Sequence, residues 1–221
     1  MVIKRGEDWG QRVPRPADLL VLNNDVQANQ YLTKQLQGSL HTQSIAILKS
    51  NIARSLGLNG SDLKVEKMLE TRFDAIEIEF SDSDDKVSHQ YFLGNAVIRR
   101  SWLRGAITGV FNTSFIAGRD WAPRAHPNDG KLDVLLLDDA MSLRQRITAY
   151  RLSRSGSHLP HPQLKYLQSQ SYVVSDLEAA KLTVDSVEFG EVKYCSFRLV
   201  PDAISIVDEA SAIQICSIGM P

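Results

Sequence analysis

The first quarter of the chain repeats a strand-then-helix pattern of apolar positions. Short apolar runs at residues 17–22 and 44–48 are typical of strands buried in a parallel sheet. After each run, apolar residues recur at helical spacing, over residues 26–36 and 51–56, and a glycine follows each segment. This β-α-β-α order predicts a small parallel sheet covered by helices.

The pattern changes after residue 65, where apolar and polar residues begin to alternate. Residues 73–80 read Phe-Asp-Ala-Ile-Glu-Ile-Glu-Phe, the alternation of a half-buried antiparallel strand. Further strands are predicted at residues 91–98, 106–116, 132–137, 172–174, 181–184, 194–200 and 203–207. The predicted α+β organisation is a polar lead-in at 1–16, a small α/β domain at 17–65, a larger antiparallel β-sandwich at 66–210 and a tail at 211–221.

One amphipathic helix is predicted within the second unit, over residues 142–154. Leu143, Ile147 and Tyr150 form an apolar stripe along it. The rest of its surface carries four arginines, Arg144, Arg146, Arg151 and Arg154. Two interpretations are open. Either the stripe packs on the sandwich and the arginines are solvated, or the basic surface binds anionic lipid headgroups, where each Lys or Arg contributes ~1 kcal/mol.

Composition and charge narrow the classes of function. A formal net charge of -1 gives no general attraction to nucleic acid. Residues 97–165 nevertheless hold eleven Lys and Arg against five Asp, so this segment is locally basic. Two cysteines and no apolar run at the amino terminus predict a reduced, cytoplasmic protein. Arg144, Arg146 and Arg151 would allow peripheral membrane contact, and a protein partner or a homodimer is also open.

Three stretches of the second unit carry a family pattern. They are residues 121–136 (WAPRAHPNDGKLDVLL), 158–166 (HLPHPQLKY) and 197–207 (FRLVPDAISIV). In order and spacing they resemble the diacylglycerol kinase and sphingosine kinase-like superfamily of lipid kinases, of the bacterial type with an NAD kinase-like fold. The first stretch matches that pattern at Ala122, Pro123, Ala125, Asp129, Gly130, Leu132, Asp133 and Val134. The resemblance implies an α/β nucleotide-binding domain, a β-sandwich and ATP-dependent phosphorylation of diacylglycerol or a sphingoid base.

The turn at residues 127–130 is a candidate cation site. Its sequence, Pro-Asn-Asp-Gly, favours a turn, and Asp129 leaves a carboxylate there that suits a hard cation. The resemblance implies a structural Mg²⁺ held by the Asp129 side chain and by the backbone carbonyls of His126 and Lys131. The alternative is a hairpin turn in which Asp129 and Asp133 are merely solvated.

The glycine-rich phosphate motif of the family is almost absent. Where the family has Gly-Gly-Asp-Gly-Thr, then one residue, Asn and Glu, this chain reads Asn-Asn-Asp-Val-Gln-Ala-Asn-Gln from residue 23. Only Asp25 and Asn29 are kept. Asn23 and Asn24 replace the two leading glycines. Val26 replaces the third, and a β-branched residue does not take the positive φ that lets a backbone approach phosphate.

The second nucleotide motif keeps its helical half, Ala53 to Leu58, and loses its loop half. The family's Gly and Thr fall on Ile47 and Leu48, and its Asp falls on Asn51. Apolar packing is therefore expected to persist where the polar contacts to a nucleotide have gone.

The third motif, Asp-Gly-Glu, supplies the general base of the family. Here Asp185 is kept, but the Glu position holds Val187, whose side chain cannot accept a proton. Glu188 is adjacent, yet neighbouring strand residues point to opposite faces, so it does not replace the base without a bulge.

These losses favour a pseudokinase that binds lipid or a partner without ATP. Only 16 residues precede the first predicted strand, fewer than the family's opening strand-loop-helix unit requires, so the α/β domain is expected to be truncated. The alternative is an active lipid kinase with a rearranged nucleotide site, or one that a partner chain completes.

Overall fold

The computed structural model describes residues 10–40, 43–48, 50–55, 63 and 66–209. Fourteen strands and three helices are described within these ranges. The strands are β1 (Gln11–Pro14), β2 (Leu20–Leu22), β3 (Ile45–Ile47), β4 (Lys67–Asp82), β5 (Val87–Phe92), β6 (Asn95–Arg99), β7 (Ile107–Phe111), β8 (Phe115–Ile116), β9 (Arg119–Asp120), β10 (Leu132–Leu137), β11 (Leu164–Ser169), β12 (Ser171–Val174), β13 (Ala180–Val184) and β14 (Val187–Glu209). The helices are α1 (Asp25–Leu36), α2 (Asn51–Ser55) and α3 (Leu143–Leu152).

The two longest strands, β4 and β14, run antiparallel and tie the molecule together. Their pairing shifts register between Val192 and Tyr194, and again between Val200 and Ile204. Each shift bends the ribbon, as bulges do. On its other edge, β14 meets β13, then β12, and finally β3. One long strand therefore belongs both to the antiparallel unit and to the α/β unit.

The α/β unit forms at the carboxyl end of β14. Strands β2 and β3 are parallel, and β3 pairs with β14 at Ile45 and Ile206. Helix α1 covers them with Ala28 and Leu32, which are completely buried. Phe73 of β4 completes this core. The predicted parallel β-α-β-α pattern is thereby confirmed.

The antiparallel unit follows β13 outward in the order β6, β7, β10 and β11. Its main core includes Phe92 and Phe197, whose rings meet edge to face with centroids 6.4 Å apart. A second core lies on the outer side of β6, β7 and β10, beneath α3. The predicted fold class, an α/β piece joined to a larger antiparallel sandwich, is confirmed.

Several predicted elements differ in detail. The predicted strand at 91–98 is two strands, β5 and β6, separated by Leu93 and Gly94, and the predicted strands at 194–200 and 203–207 are parts of β14. The lead-in at 1–16 was predicted to be loose, but β1 lies within it and pairs with the start of β4. The domain boundaries stay a prediction, and the tail at 211–221 lies outside the described residues.

Candidate functional site

The stretch that matches the phosphate motif forms the start of helix α1. Asn24 is the N-cap, with extended backbone geometry, and its side chain accepts a hydrogen bond of 2.9 Å from the backbone N–H of Gln27. The Gln27 side chain in turn accepts one of 2.8 Å from the backbone N–H of Asn23. Asn and Gln at this spacing favour a capped helix start. Two backbone N–H groups of the stretch that matches the phosphate motif thus donate to side chains of the same stretch.

Asp25 links the two degenerate nucleotide motifs. Its buried carboxylate accepts hydrogen bonds from the backbone N–H groups of Asn51, at 3.1 Å, and Ile52, at 3.4 Å. These N–H groups lie in the first turn of α2, where a carboxylate satisfies otherwise unpaired donors. The retained acid therefore caps a neighbouring helix.

Asn29 and Asp185 connect α1 to the sandwich. The Asn29 side chain donates to the Asp185 carboxylate at 2.8 Å and accepts from the backbone N–H of Leu93 at 3.1 Å. Asp185 also accepts from the backbone N–H groups of Gly94, at 3.1 Å, and Asn95, at 2.6 Å. We call Asp25, Asn29, Asn51 and Asp185 the polar cluster.

Burial controls the electrostatics of the polar cluster. Asp185 is only 2% exposed, and this burial raises its pKa to about 7. The nearby Asp25 also raises the pKa of Asp185, while the hydrogen bonds that Asp185 accepts act to lower it. A Cβ at Gly94 would lie 2.1 Å from the Asp185 carboxylate, so only glycine fits against this side chain.

The general-base position lies on the hairpin that joins β13 and β14. Asp185 and Ser186 both have positive φ, 42° and 72°, as a two-residue hairpin turn requires. Val187 follows and is 36% exposed. Glu188 forms an exposed ion pair with Lys181 at 3.0 Å. Of the residues from 185 to 188, Asp185 is the one that belongs to the polar cluster.

The predicted magnesium turn is hydrogen-bonded to the side chain of Asp74, a residue that is not among the predicted site residues. The Asp74 carboxylate accepts from the backbone N–H groups of Gly130, at 3.0 Å, and Asp202, at 2.9 Å. Asp129 accepts from the backbone N–H of Lys131 at 3.1 Å, and burial raises the pKa of both Asp74 and Asp129. Asp74 lies in a strand 55 residues before Asp129, and no motif marks it.

The donor chemistry at this turn suits a hard cation. Within the described ranges, no group of three or more His, Cys, Asp or Glu side chains is arranged to hold a metal ion. The implied site needs no such group, because it combines the Asp129 carboxylate with the carbonyls of His126 and Lys131. One oxygen of Asp133 is buried without a hydrogen-bond partner, and burial raises the pKa of Asp133 to about 6. Carboxylate and carbonyl oxygens, the ligands that a hard cation prefers, are therefore present at this turn.

A second candidate site is an apolar cavity of about 470 Å³ beneath α3. Its floor is the outer face of β6, β7 and β10, and its roof is α3 with the loop at residues 101–105. Gly109 in the floor is necessary, because a Cβ there would lie 2.5 Å from the Phe111 ring. The lining residues are Val97, Trp102, Leu103, Ile107, Gly109, Phe111, Ile116, Ala117, Arg119, Trp121, Leu135, Leu137, Leu143, Arg146, Ile147 and Tyr150.

The structure corrects two details of the predictions for α3, while the prediction that its basic surface binds anionic lipid stays a prediction. The apolar stripe of Leu143, Ile147 and Tyr150 is 43–51% exposed and borders the cavity mouth, so it does not pack into the sandwich. Arg146 was predicted on the surface with Arg144 and Arg151, but it is 5% exposed. The Arg146 guanidinium donates to backbone carbonyls of the adjoining loops, and Ala149 of the same helix is also buried. Arg144 and Arg151 are exposed.

Fold and sites together define an antiparallel β-sandwich joined to a small α/β unit. The family described as "YegS C-terminal NAD kinase beta sandwich-like domain" matches residues 96–208. The chain belongs to this family, within the diacylglycerol kinase-like lipid kinase superfamily, as the sequence predicted.

Solved structures agree with this fold. A diacylglycerol kinase from Bacillus anthracis str. Sterne superimposes with a TM-score of 0.60 at 12% identity, over 89% of this chain and 78% of that one. A protein of the same strain that is assigned as a diacylglycerol kinase gives a TM-score of 0.64 at 13% identity, over 89% and 79% of the two chains. No curated protein matches the sequence.

Proposed function

We propose that this chain is a diacylglycerol kinase-like protein that has lost ATP binding and binds lipid at a membrane surface. The observation that carries the proposal is the apolar cavity beneath α3, whose rim remains exposed. Trp102, Leu103, Leu143, Ile147 and Tyr150 are 43–63% exposed around it. An exposed apolar patch of this kind marks an interaction surface.

The contacts at the degenerate nucleotide motifs support the proposed loss of ATP binding. A triphosphate requires free backbone N–H groups, and those of Asn23 and Gln27 are occupied by side chains. Asp25 and Asn29 are engaged in tethering helices. Val187 occupies the position of the general base. Phosphoryl transfer relies on positioned charges and donors, so these contacts favour a structural role for the region.

The charge around the cavity supports contact with an anionic membrane. Arg144 and Arg151 are exposed on the same helix as the apolar stripe, and Arg100 and Arg104 are exposed beside Trp102. Basic residues that flank inserted aromatic and aliphatic side chains are typical of helices that lie in a membrane interface. Arg146 is buried and does not contribute to this surface. No helix in the described ranges has the length and apolar composition of a membrane span.

A structural Mg²⁺ at Asp129 is a further part of the proposal. It would join the Asp129 turn to the backbone carbonyls of His126 and Lys131. Its role would be to stabilise the turn that leads into β10, because the turn already carries several desolvated carboxyl groups.

Vesicle co-sedimentation tests the lipid function. The wild-type chain should sediment with vesicles that contain phosphatidylserine at low salt, and binding should weaken at physiological salt. Ile147→Asp places a charge in the apolar rim and should reduce the bound fraction at least fivefold, on the order of the cost of burying an unpaired charge.

Val87→Asp is the matched control. Val87 is 61% exposed on β5 and does not line the cavity, so this change adds the same charge elsewhere. It should leave sedimentation unchanged. Equal loss in both variants, or a wild-type chain that stays in the supernatant at low salt, would reject membrane binding through this surface.

A further inference from the structure

The cavity beneath α3 holds two positive charges in an apolar lining. Arg119 and Arg146 line it, and none of the lining residues is acidic. Among the residues that the structure describes, the ion pairs involve other side chains and leave both arginines without a carboxylate within 4 Å. A pocket that is otherwise apolar thus contains an excess of positive charge.

Arg146 is the more deeply placed of the two. Its Nε donates to the Met141 carbonyl at 2.9 Å, and its Nη2 donates to the carbonyls of Gly105, at 2.6 Å, and Asp138, at 3.3 Å. Its Nη1 also donates to the Trp102 carbonyl at 3.5 Å, and all four acceptors are neutral. Burial lowers the pKa of Arg146, and the charge of Asp139 offsets this only in part. A buried charge without a counter-ion is costly, so an anion in the cavity would relieve it.

Arg119 is held at the side of the cavity by Tyr150. Its guanidinium lies 3.6 Å from the centre of the Tyr150 ring, and its Nη1 donates to the Tyr150 carbonyl at 2.7 Å. Stacking orients the planar fork of donors, and a guanidinium has five N–H groups. Such a fork matches the two oxygens of a carboxylate.

The size of the cavity limits the ligand to one chain. Its volume of about 470 Å³ is near the lower end of the roughly 300–1,000 Å³ typical of ligand pockets. Its walls are aliphatic and aromatic, and its mouth opens at the exposed rim. A single aliphatic chain fits this shape and chemistry, whereas two acyl chains would have to share it.

We propose that the cavity binds a long-chain fatty acid, with the chain against β6, β7 and β10 and the carboxylate at Arg119, where Arg146 supplies a second positive charge. This inference rests on the proposed lipid function and specifies its ligand. It excludes cationic amphiphiles such as sphingoid bases, because their ammonium group would face two guanidinium groups.

Calorimetry with the full chain and four amphiphiles of 16 carbons, below their micelle concentrations, tests the ligand class. The probes are hexadecanoate, hexadecan-1-ol, hexadecylamine and the palmitoyl lysophosphatidate. Hexadecanoate should bind most tightly, roughly tenfold or more over the alcohol, as expected for hydrogen bonds to a charged group. Shortening the acid should weaken binding roughly fourfold per methylene.

Substitutions test the role of Arg119. Arg119→Gln should weaken hexadecanoate roughly tenfold and leave hexadecan-1-ol unchanged, which also shows that the cavity is intact. Arg119→Lys keeps the charge and should restore part of the affinity. Arg12→Gln, at an exposed arginine of β1 outside the cavity lining, is the matched control and should change neither ligand.

The outcomes separate this inference from the proposed function. If hexadecylamine or lysophosphatidate binds as tightly as hexadecanoate, or Arg119→Gln weakens acid and alcohol equally, the fatty acid inference is wrong while lipid binding stands. If no amphiphile binds but vesicles do, the inference is again wrong and only membrane contact remains. If neither binds, both proposals fail.

Discussion

The polar cluster and the cavity beneath α3 differ in what surrounds their charged groups. In the polar cluster, Asp185 accepts three hydrogen bonds and Asp25 caps a helix. In the cavity, apolar side chains remain exposed and two guanidinium groups lack a carboxylate. Motif residues that bind each other in a closed core support a fold, whereas charged groups that line an open apolar cavity are available to a ligand. This difference is the reason we propose the cavity on the sandwich, and not the polar cluster, as the binding site.

Replacing Asp185 should have the largest effect on stability of the changes considered for the two regions. Asp185→Ala leaves two buried backbone N–H groups and the half-buried Asn29 side chain without an acceptor, and a lost acceptor costs ~1–3 kcal/mol for each buried donor. We expect the free energy of unfolding in urea to fall by about 3 kcal/mol or more. Vesicle binding by the folded fraction should not change.

Asp185→Asn is the control for this prediction. Asparagine keeps the shape and tolerates the positive φ at this position, so it separates lost hydrogen bonds from backbone strain. We expect an intermediate loss of stability. An alanine variant as stable as the wild-type chain would mean that the polar cluster is not a tether.

The two regions can also be compared through the N-cap residues of α1 and α3, which should contribute equally to stability if both are purely structural. Asn24 begins α1 and Ser142 begins α3, and each side chain accepts a hydrogen bond from a backbone N–H three residues later. If the former phosphate loop is now only a helix start, Asn24→Ala and Ser142→Ala should each lower the free energy of unfolding by ~1 kcal/mol. Urea unfolding at one pH measures both. A stabilising Asn24→Ala change would indicate a strained loop kept for a ligand.

The fold could be predicted from the sequence, but the orientation of α3 could not. Alternation and motif order predicted the sandwich and the parallel strands, because burial on one face or both leaves a local pattern. The orientation of α3 could not be predicted, since Leu143, Ile147 and Tyr150 look like an ordinary buried stripe. Only the tertiary contacts of Arg146 with Gly105 and Asp138 show which face is buried.

The sites show the same limit. The losses at Val26 and Val187 are visible in sequence because a motif defines what each position requires. Asp74 is invisible, because its role depends on pairing across the sheet with a turn far along the chain. The cavity also cannot be predicted from sequence, since its lining comes from the five strands β6 to β10, from α3 and from the loops between these elements, and no sequence spacing joins them.

The smallest expected effect concerns the Asp129 turn. If this turn binds Mg²⁺, Asp129→Ala should lower the unfolding midpoint in magnesium and change little in EDTA. The effect should be below about 1 kcal/mol in EDTA, where only the hydrogen bond to Lys131 is lost. Equal destabilisation in both media would assign Asp129 to turn geometry alone.

Thermal unfolding of the wild-type chain with hexadecanoate or with magnesium-ATP tests whether the chain binds a fatty acid and not a nucleotide. A ligand that binds only the folded state raises the unfolding midpoint, by roughly 2–4 °C for each kcal/mol of stabilisation at this chain length. We predict that hexadecanoate raises the unfolding midpoint in a saturable manner and that millimolar magnesium-ATP leaves it unchanged. A saturable rise with magnesium-ATP and none with hexadecanoate would contradict it.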